Sequence, residues 1–294
     1  MFGKICLATA ALVAFAAPAT ARPAYAVNTA GALISFDTAT PGVVTSSKPL
    51  VGLAPANVRG LDFRPATGQL YALGSDGIYQ VNLTTGQATM VGPPNAFLQN
   101  GANFGFDFNP TVDRIRLVSD AEQNSRLSPD NGFTVATDSA LSYAAGDPNA
   151  GVNPNVVAAA YTNNFVGSGV TTLYGIDSDL NLLVVQNPPN AGVLNSIGLG
   201  LGFDVGNDAG FDIFSIGGGN EAYLSSGTGF YSVDLTAGTA SLIGNTGGFR
   251  GFAVGGPAVV ADVPEPASWL MMILGFGLVG GVSRRARART LARA

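Results

Sequence analysis

Five stretches of this chain repeat one another, and that self-similarity restricts the fold more than any other feature. "LISFDTATPGVVTSS…VRGLDFRPATGQLYALG" begins at Leu33, and "IYQVNLTTGQATMVG…NFGFDFNPTVDRIRLVS" begins at Ile78. Fainter copies begin at Ser125 ("SRLSPDNGFTVATDSA"), Asn181 ("NLLVVQNPPNAGVLNSIG") and Phe230 ("FYSVDLTAGTASLIG…RGFAVG"). Each holds short β-rich pieces separated by Gly, Asn, Asp or Pro turns. A period of roughly 45 residues with four such pieces predicts the blades of an all-β propeller. The count is five, or six if the insertion around Asp138 to Asn164 hides another.

The last copy lacks its fourth strand, and the N-terminal region offers one. "AYAVNTAGALISF" (Ala24 to Phe36) matches "LYALGSDGIYQV" (Leu70 to Val81), which is a fourth strand, its turn and the next first strand. The N-terminal strand is therefore expected to complete the last blade and close the ring, removing open sheet edges. Helix is expected only at the two chain ends.

Those ends have their own character. Lys4, an apolar run to Ala17 and then small residues around a proline read as a secretory signal peptide over residues 1–21. The A-x-A pattern permits cleavage after Ala21 or Ala26, and only the first spares the closing strand. Cys6 falls within this segment, so the mature chain has no cysteine and no disulfide. At the other end, the charge-free run 267–282 would span about 24 Å as a helix, slightly short for a bilayer core. Trp269 sits at its edge, and Arg284, Arg285, Arg287 and Arg289 come directly after it, which places the C-terminus on the cytoplasmic side. Gly277 and Gly281 have the spacing of a helix-packing pair.

Val263-Pro264-Glu265-Pro266, the short apolar run with Trp269, and the arginines led by Arg284 and Arg285 together resemble the PEP-CTERM sorting signal of Gram-negative bacteria. The resemblance covers residues 262–294. It implies translocation across the inner membrane, transient anchoring, processing by an exosortase and release to the cell surface or beyond. Between the ends, "GLDFRPATGQLYALG", "FGFDFNPTVDRIRLVSD" and "AAGDPNAGVNPNVVAAAYTN", with "TTLYGID", resemble an exported domain of unknown function, number 4394. That resemblance covers nearly the whole of Ala24 to Gly255, within an expected propeller domain of residues 22–261, and implies no activity and no site residues.

Composition narrows the chemistry. From Arg22 to Ala261 there are eight basic residues against seventeen acidic ones, a formal charge of −9. Such a surface repels phosphate backbones, so no nucleic-acid partner is expected. The chain has no histidine. Serine–histidine catalysis, histidine metal sites and, without cysteine, zinc, copper or haem ligation fall away together.

Carboxylates remain. Asp62, Asp107 and Asp204 recur within "LDF", "FDF" and "FDV". They are candidates for a channel-lining cluster that binds calcium or works as acid and base. The competing expectation, which we favour, is architectural: each caps a turn or pairs with Arg59, Arg64, Arg114 or Arg116. The glycosidase pattern of paired carboxyls has little support, since Glu122 and Glu221 stand in unremarkable settings. "DSDLN" (Asp177, Asp179, Asn181) starts like a calcium loop but lacks its glycine and closing glutamate. "DVGNDAGFD" (Asp204 to Asp212) is a looser oxygen-rich turn. The reading is thus an exported propeller with no catalytic residue and no cofactor unless calcium, acting as a binding or structural module. The translocon and exosortase are expected partners, with extracellular polysaccharide a third.

Overall fold

The computed structural model describes residues 21–216 and 218–255. The expected signal peptide before Ala21 and the sorting segment, with its apolar run, lie outside the described residues. Among the described residues no helix is long and apolar enough to cross a membrane. Within the described residues helix amounts to two single 3-10 turns, Pro55–Asn57 and Pro189–Ala191.

Twenty of the strands form five antiparallel four-stranded sheets arranged as the blades of a propeller. From the axis outward, blade I is Phe249–Val254, Pro23–Asn28, Ala32–Asp37 and Thr40–Pro49. Blade II is Val58–Arg64, Gln69–Gly74, Gly77–Val81 and Ala88–Val91. Blade III is Phe104–Asn109, Arg114–Ser119, Asn124–Leu127 and Thr134–Thr137. Blade IV is Val156–Tyr161, Leu173–Asp177, Leu182–Gln186 and Val193–Ile197. Blade V is Gly210–Ile216, Gly219–Ser226, Gly229–Asp234 and Thr239–Asn245. The insertion around Asp138 to Asn164 forms no sixth blade; it lays Ser142–Tyr143 parallel to Val193–Ile197, on the outer edge of blade IV.

The gradient of residue types across each blade explains why the repeat is visible in the sequence. Inner and second strands have neighbours on both faces and read as apolar runs; Val156–Tyr161 is buried throughout. Outer strands face solvent and are rich in Thr and Ser, as in Thr239–Asn245 and Thr134–Thr137. Hairpins between third and fourth strands reuse one device. Asn82 Oδ1 accepts from the Thr84 and Thr85 N–H groups, and Asp234 Oδ1 accepts from Thr236 and Ala237, in "NLTTG" and "DLTAG".

Ring closure uses the expected pairing. Pro23–Asn28 lies antiparallel to the C-terminal strand, with Ala24 opposite Val254 and Ala26 opposite Phe252, and on its other side pairs with Ala32–Asp37. Blade I therefore takes its inner strand from the C-terminal end of the domain and the other three from the N-terminal end. The core is divided into five clusters, one in each gap between adjacent blades. The gap that closes the ring is the most aromatic. Phe36 and Phe230 meet edge to face at 5.4 Å, and Phe249 stacks on Phe36 at 5.2 Å.

Candidate functional site: three buried carboxylates beneath a funnel

The inner strands share one register. Gly60-Leu61-Asp62-Phe63, Gly105-Phe106-Asp107-Phe108 and Gly210-Phe211-Asp212-Ile213 carry aspartate at the third place. Ala158-Ala159-Ala160-Tyr161 and Gly251-Phe252-Ala253-Val254 carry alanine there. The first place is small because the next blade crowds it: a Cβ at Gly105 would come within 2.6 Å of the Ala159 amide nitrogen, and one at Gly60 within 2.9 Å of Phe106 Cβ. Each aspartate reaches across to the inner strand of the following blade. Asp62 Oδ2 accepts from the Phe108 N–H at 2.6 Å, Asp107 Oδ1 from Tyr161 at 2.9 Å, and Asp212 Oδ2 from Val254 at 2.5 Å. Asp212 Oδ1 also accepts from the Ile213 N–H at 2.6 Å.

These bonds bring the three carboxylates together at the axis. Each supplies an oxygen within 4.8 Å of the others, and none of the three residues is more than 2% exposed. Removal from water raises the pKa of all three, the largest effect in each case. Neighbouring carboxylates push Asp62 and Asp107 further: Asp212 acts on Asp62, and both partners act on Asp107. The backbone N–H groups pull the other way, and Asp212 is pushed up to about 6.

The sequence pointed to Asp62 and Asp107 and missed the third member. Asp204 is exposed and receives only a 3.4 Å contact from Asn181 Nδ2. Two "GFD" triplets lie eight residues apart, and the second belongs to the inner strand. Strand pairing separates them: Asp212 stands opposite Tyr223 in a hairpin with the buried second strand. Phe203 instead stacks on Tyr231 in the connection, ring centres 4.1 Å apart.

The expected arginine partners are engaged elsewhere. Arg64 binds Asp113 and Asp130, and Arg116 is buried against Asp138, Asn124, Asn190 and the Tyr161 hydroxyl. Arg114 donates to the Asp113 carbonyl, and Arg59 to Gln99 while lying over the Phe104 ring. None of these contacts reaches the axial aspartates, so that form of the architectural reading is corrected: the carboxylates tie strand to strand through backbone amides. The "DSDLN" turn is held by its own hydrogen bonds. Asp177 accepts from the Tyr143 hydroxyl and the Asn155 and Leu180 amides, and Asp179 accepts from Asn155 Nδ2. Glu221 pairs with Arg22, and Glu122 accepts from Asn153, both away from the axis.

A funnel runs along the inner strands that carry the carboxylates, lined by the residues just before each aspartate. Its mouth is a cavity of about 480 Å³ whose lining includes Thr29, Arg59, Asn103, Asn207, Asp208 and Arg250. It narrows to about 30 Å³ where all five inner strands contribute, Gly60, Gly105, Ala158, Gly210 and Gly251 among them. Arg250 is exposed at the mouth.

The PEP-CTERM protein-sorting motif matches residues 262–288, so the protein is exported and surface-targeted in a Gram-negative cell, with exosortase processing implied. A search among curated proteins returns no match. Among solved structures, the chain is similar to a dihydro-heme d1 dehydrogenase, NirN, in complex with DHE. That likeness has 11% identity and a TM-score of 0.36, covering 75% of this chain and 43% of that one. It is also similar to an auxiliary nutrient binding protein from Bacteroides ovatus, with 14% identity and a TM-score of 0.39, covering 69% and 56%. The chain spans about half the length of these two structures. Residues 32–253, most of the propeller, match the model for DUF4394, a domain of unknown function, and the chain belongs to that family.

Proposed function

We propose that this protein is a non-catalytic binding module, displayed at the cell surface, that takes acidic extracellular polysaccharide at the mouth of its funnel. One observation carries the reading. In a domain with eight basic residues against seventeen acidic ones, Arg59 and Arg250 line the same cavity. Guanidinium groups present a planar fork of donors suited to carboxylate recognition. Asn103, Asn207 and Thr29 add neutral donors and acceptors of the kind that read sugar hydroxyls, and Asp208 on the rim disfavours a purely anionic ligand. Ring closure holds this face rigid, which lowers the ordering cost of binding.

The hydrolase alternative has less behind it. Substrate-cleaving carboxyls must touch the scissile bond. Here the clustered carboxylates are buried beneath a constriction of about 30 Å³, room for a water but not a sugar ring.

The test is glycan binding by protein extracted from the envelope, with uronic-acid-containing and neutral polysaccharides side by side. The reading expects the acidic glycan to bind and Arg59→Ala with Arg250→Ala to weaken it by about 1–3 kcal/mol. Equal binding of neutral glycan, or a double variant that binds like the parent, contradicts it.

A further inference from the structure

The repeat itself shows that the axial aspartates do more than stitch blades. At the same place blades IV and I carry Ala160 and Ala253, and the ring closes there as well. Two of the five gaps thus manage without a bridging carboxylate. Where aspartate is present, three acidic side chains are gathered out of water within 4.8 Å of one another. Such a gathering of like charge is relieved either by a shared proton or by an opposing charge. The arginines nearest in sequence, Arg59, Arg64 and Arg116, are committed to Gln99, to Asp113 with Asp130, and to Asp138.

A second, separate observation concerns a single atom. Asp62 Oδ1 is buried and makes no hydrogen bond of good geometry, although Oδ2 of the same group is held by Phe108 and the Phe63 N–H lies close enough to favour the charged form. A buried acceptor left without a donor is costly, and a water or an ion is one way a folded protein meets that cost. Space for a water lies beside the residues that precede the aspartates. The narrow cavity is lined by Leu61, Phe106 and Phe211, the residues immediately before the three aspartates. It shares Arg59, Phe104, Asp208, Ala209 and Arg250 with the wide mouth, so solvent reaches it along the axis.

We propose that Asp62, Asp107 and Asp212 bind one hard divalent cation, of the calcium class, on the axis of the ring. The donor set is carboxylate oxygen without histidine or cysteine, which suits calcium, magnesium or manganese and disfavours zinc and copper. Each carboxylate is oriented through a backbone N–H of its own or the following inner strand, leaving the cation to be completed by water from the narrow cavity. An ion there links the inner strands of blades II, III and V across the axis. The site stands independently of glycan recognition at the mouth.

The experiment uses full-length protein extracted from the envelope. Its metal content is measured by mass spectrometry as purified. After EDTA and desalting it is titrated calorimetrically with calcium, magnesium and manganese, and melted with and without each. The site predicts one calcium per chain and a rise of about 5–10 °C at a hundredfold excess over the dissociation constant. Asp107→Asn keeps the acceptor for Tyr161 but removes a ligand charge, so calcium affinity falls about tenfold or more. In EDTA that variant melts at or above the parent, because one of three crowded charges has gone. Asp204→Asn, in the exposed connection and lining neither cavity, keeps the full calcium response. Absence of stoichiometric binding by any of the three cations overturns the site. So does an unchanged calcium response in Asp107→Asn, or loss of that response in Asp204→Asn. If Asp107→Asn does not fold, the titration of the parent protein decides alone.

Discussion

Asp62 Oδ2 accepts a 2.6 Å hydrogen bond from the backbone N–H of Phe108, joining the inner strand of blade II to that of blade III. Asp107 repeats the bond to Tyr161 in blade IV, and Asp212 to Val254 in blade I. The same contacts that hold neighbouring blades in register also bring three carboxylates to one point. Architecture and candidate chemistry are therefore the same set of atoms.

Close approach at the axis makes the small inner residues sensitive. Gly105→Ala would push a methyl to 2.6 Å from the Ala159 amide nitrogen, where backbone rather than a flexible side chain must yield. A loss of about 1–3 kcal/mol is expected in urea unfolding. Gly68→Ala is no control, since Gly68 has positive φ; Gly146→Ala meets no neighbour within 4 Å and should leave the midpoint in place.

The closing strand should matter beyond its length. Pro23–Asn28 is paired on both sides, and Ala24, Ala26 and Val27 are wholly buried. Deleting residues 22–28 exposes two strand edges and opens the aromatic gap between blades V and I. Thermal melts should show a broad, early transition. A truncated protein melting within about 2 °C of the parent would remove closure from the account.

Arg22 fastens the same junction by a bidentate pair with Glu221, at 2.9 Å through both nitrogens. The Arg22 hydrogen bond holds Glu221 below its ordinary value of 4.5. A depressed carboxylate contributes stability that is present above that value and lost as pH falls through the folded one. Arg22→Gln should cost about 1 kcal/mol at neutral pH, and the difference from the parent should vanish in acid. Urea midpoints from pH 7 down to pH 3 check this, and a difference that persists at the acid end contradicts it.

Arg116 is the largest fully buried side chain, and its guanidinium serves Asp138, Asn124, Asn190 and Tyr161. Arg116→Met fills much of the volume but strands those partners. About 3–5 kcal/mol should be lost, because the Asp138 charge loses one of its two arginines while the amides lose their donor. Pairing the change with Asp138→Asn should recover part of the loss, and an additive double variant would count against a shared network.

Much of the fold was legible because propeller strands differ by distance from the axis. Apolar runs, Thr/Ser-rich outer strands and the Asn82 and Asp234 hairpins repeat in order, so blade count and closure could be read. The rest depends on depth and on long-range partners, which local sequence does not record. Ser142–Tyr143 is two residues long and carries no pattern. Asp204 and Asp212 share a local motif, and only the hairpin partner Tyr223 tells inner strand from connection. Arg64 finds Asp113 and Asp130 in turns of the next blade, forty-nine and sixty-six residues away. Ion pairs of that separation leave no trace in spacing.

Amide chemical-shift mapping tests the proposed recognition of ligand at the funnel mouth most directly. Isotope-labelled protein would be titrated with a short uronic-acid oligosaccharide. The account predicts shifts confined to Thr29, Arg59, Asn103, Phe104, Asn207 and Arg250, with the outer strands unmoved. Shifts along the Thr/Ser-rich rims instead, or none at saturating oligosaccharide, would contradict it.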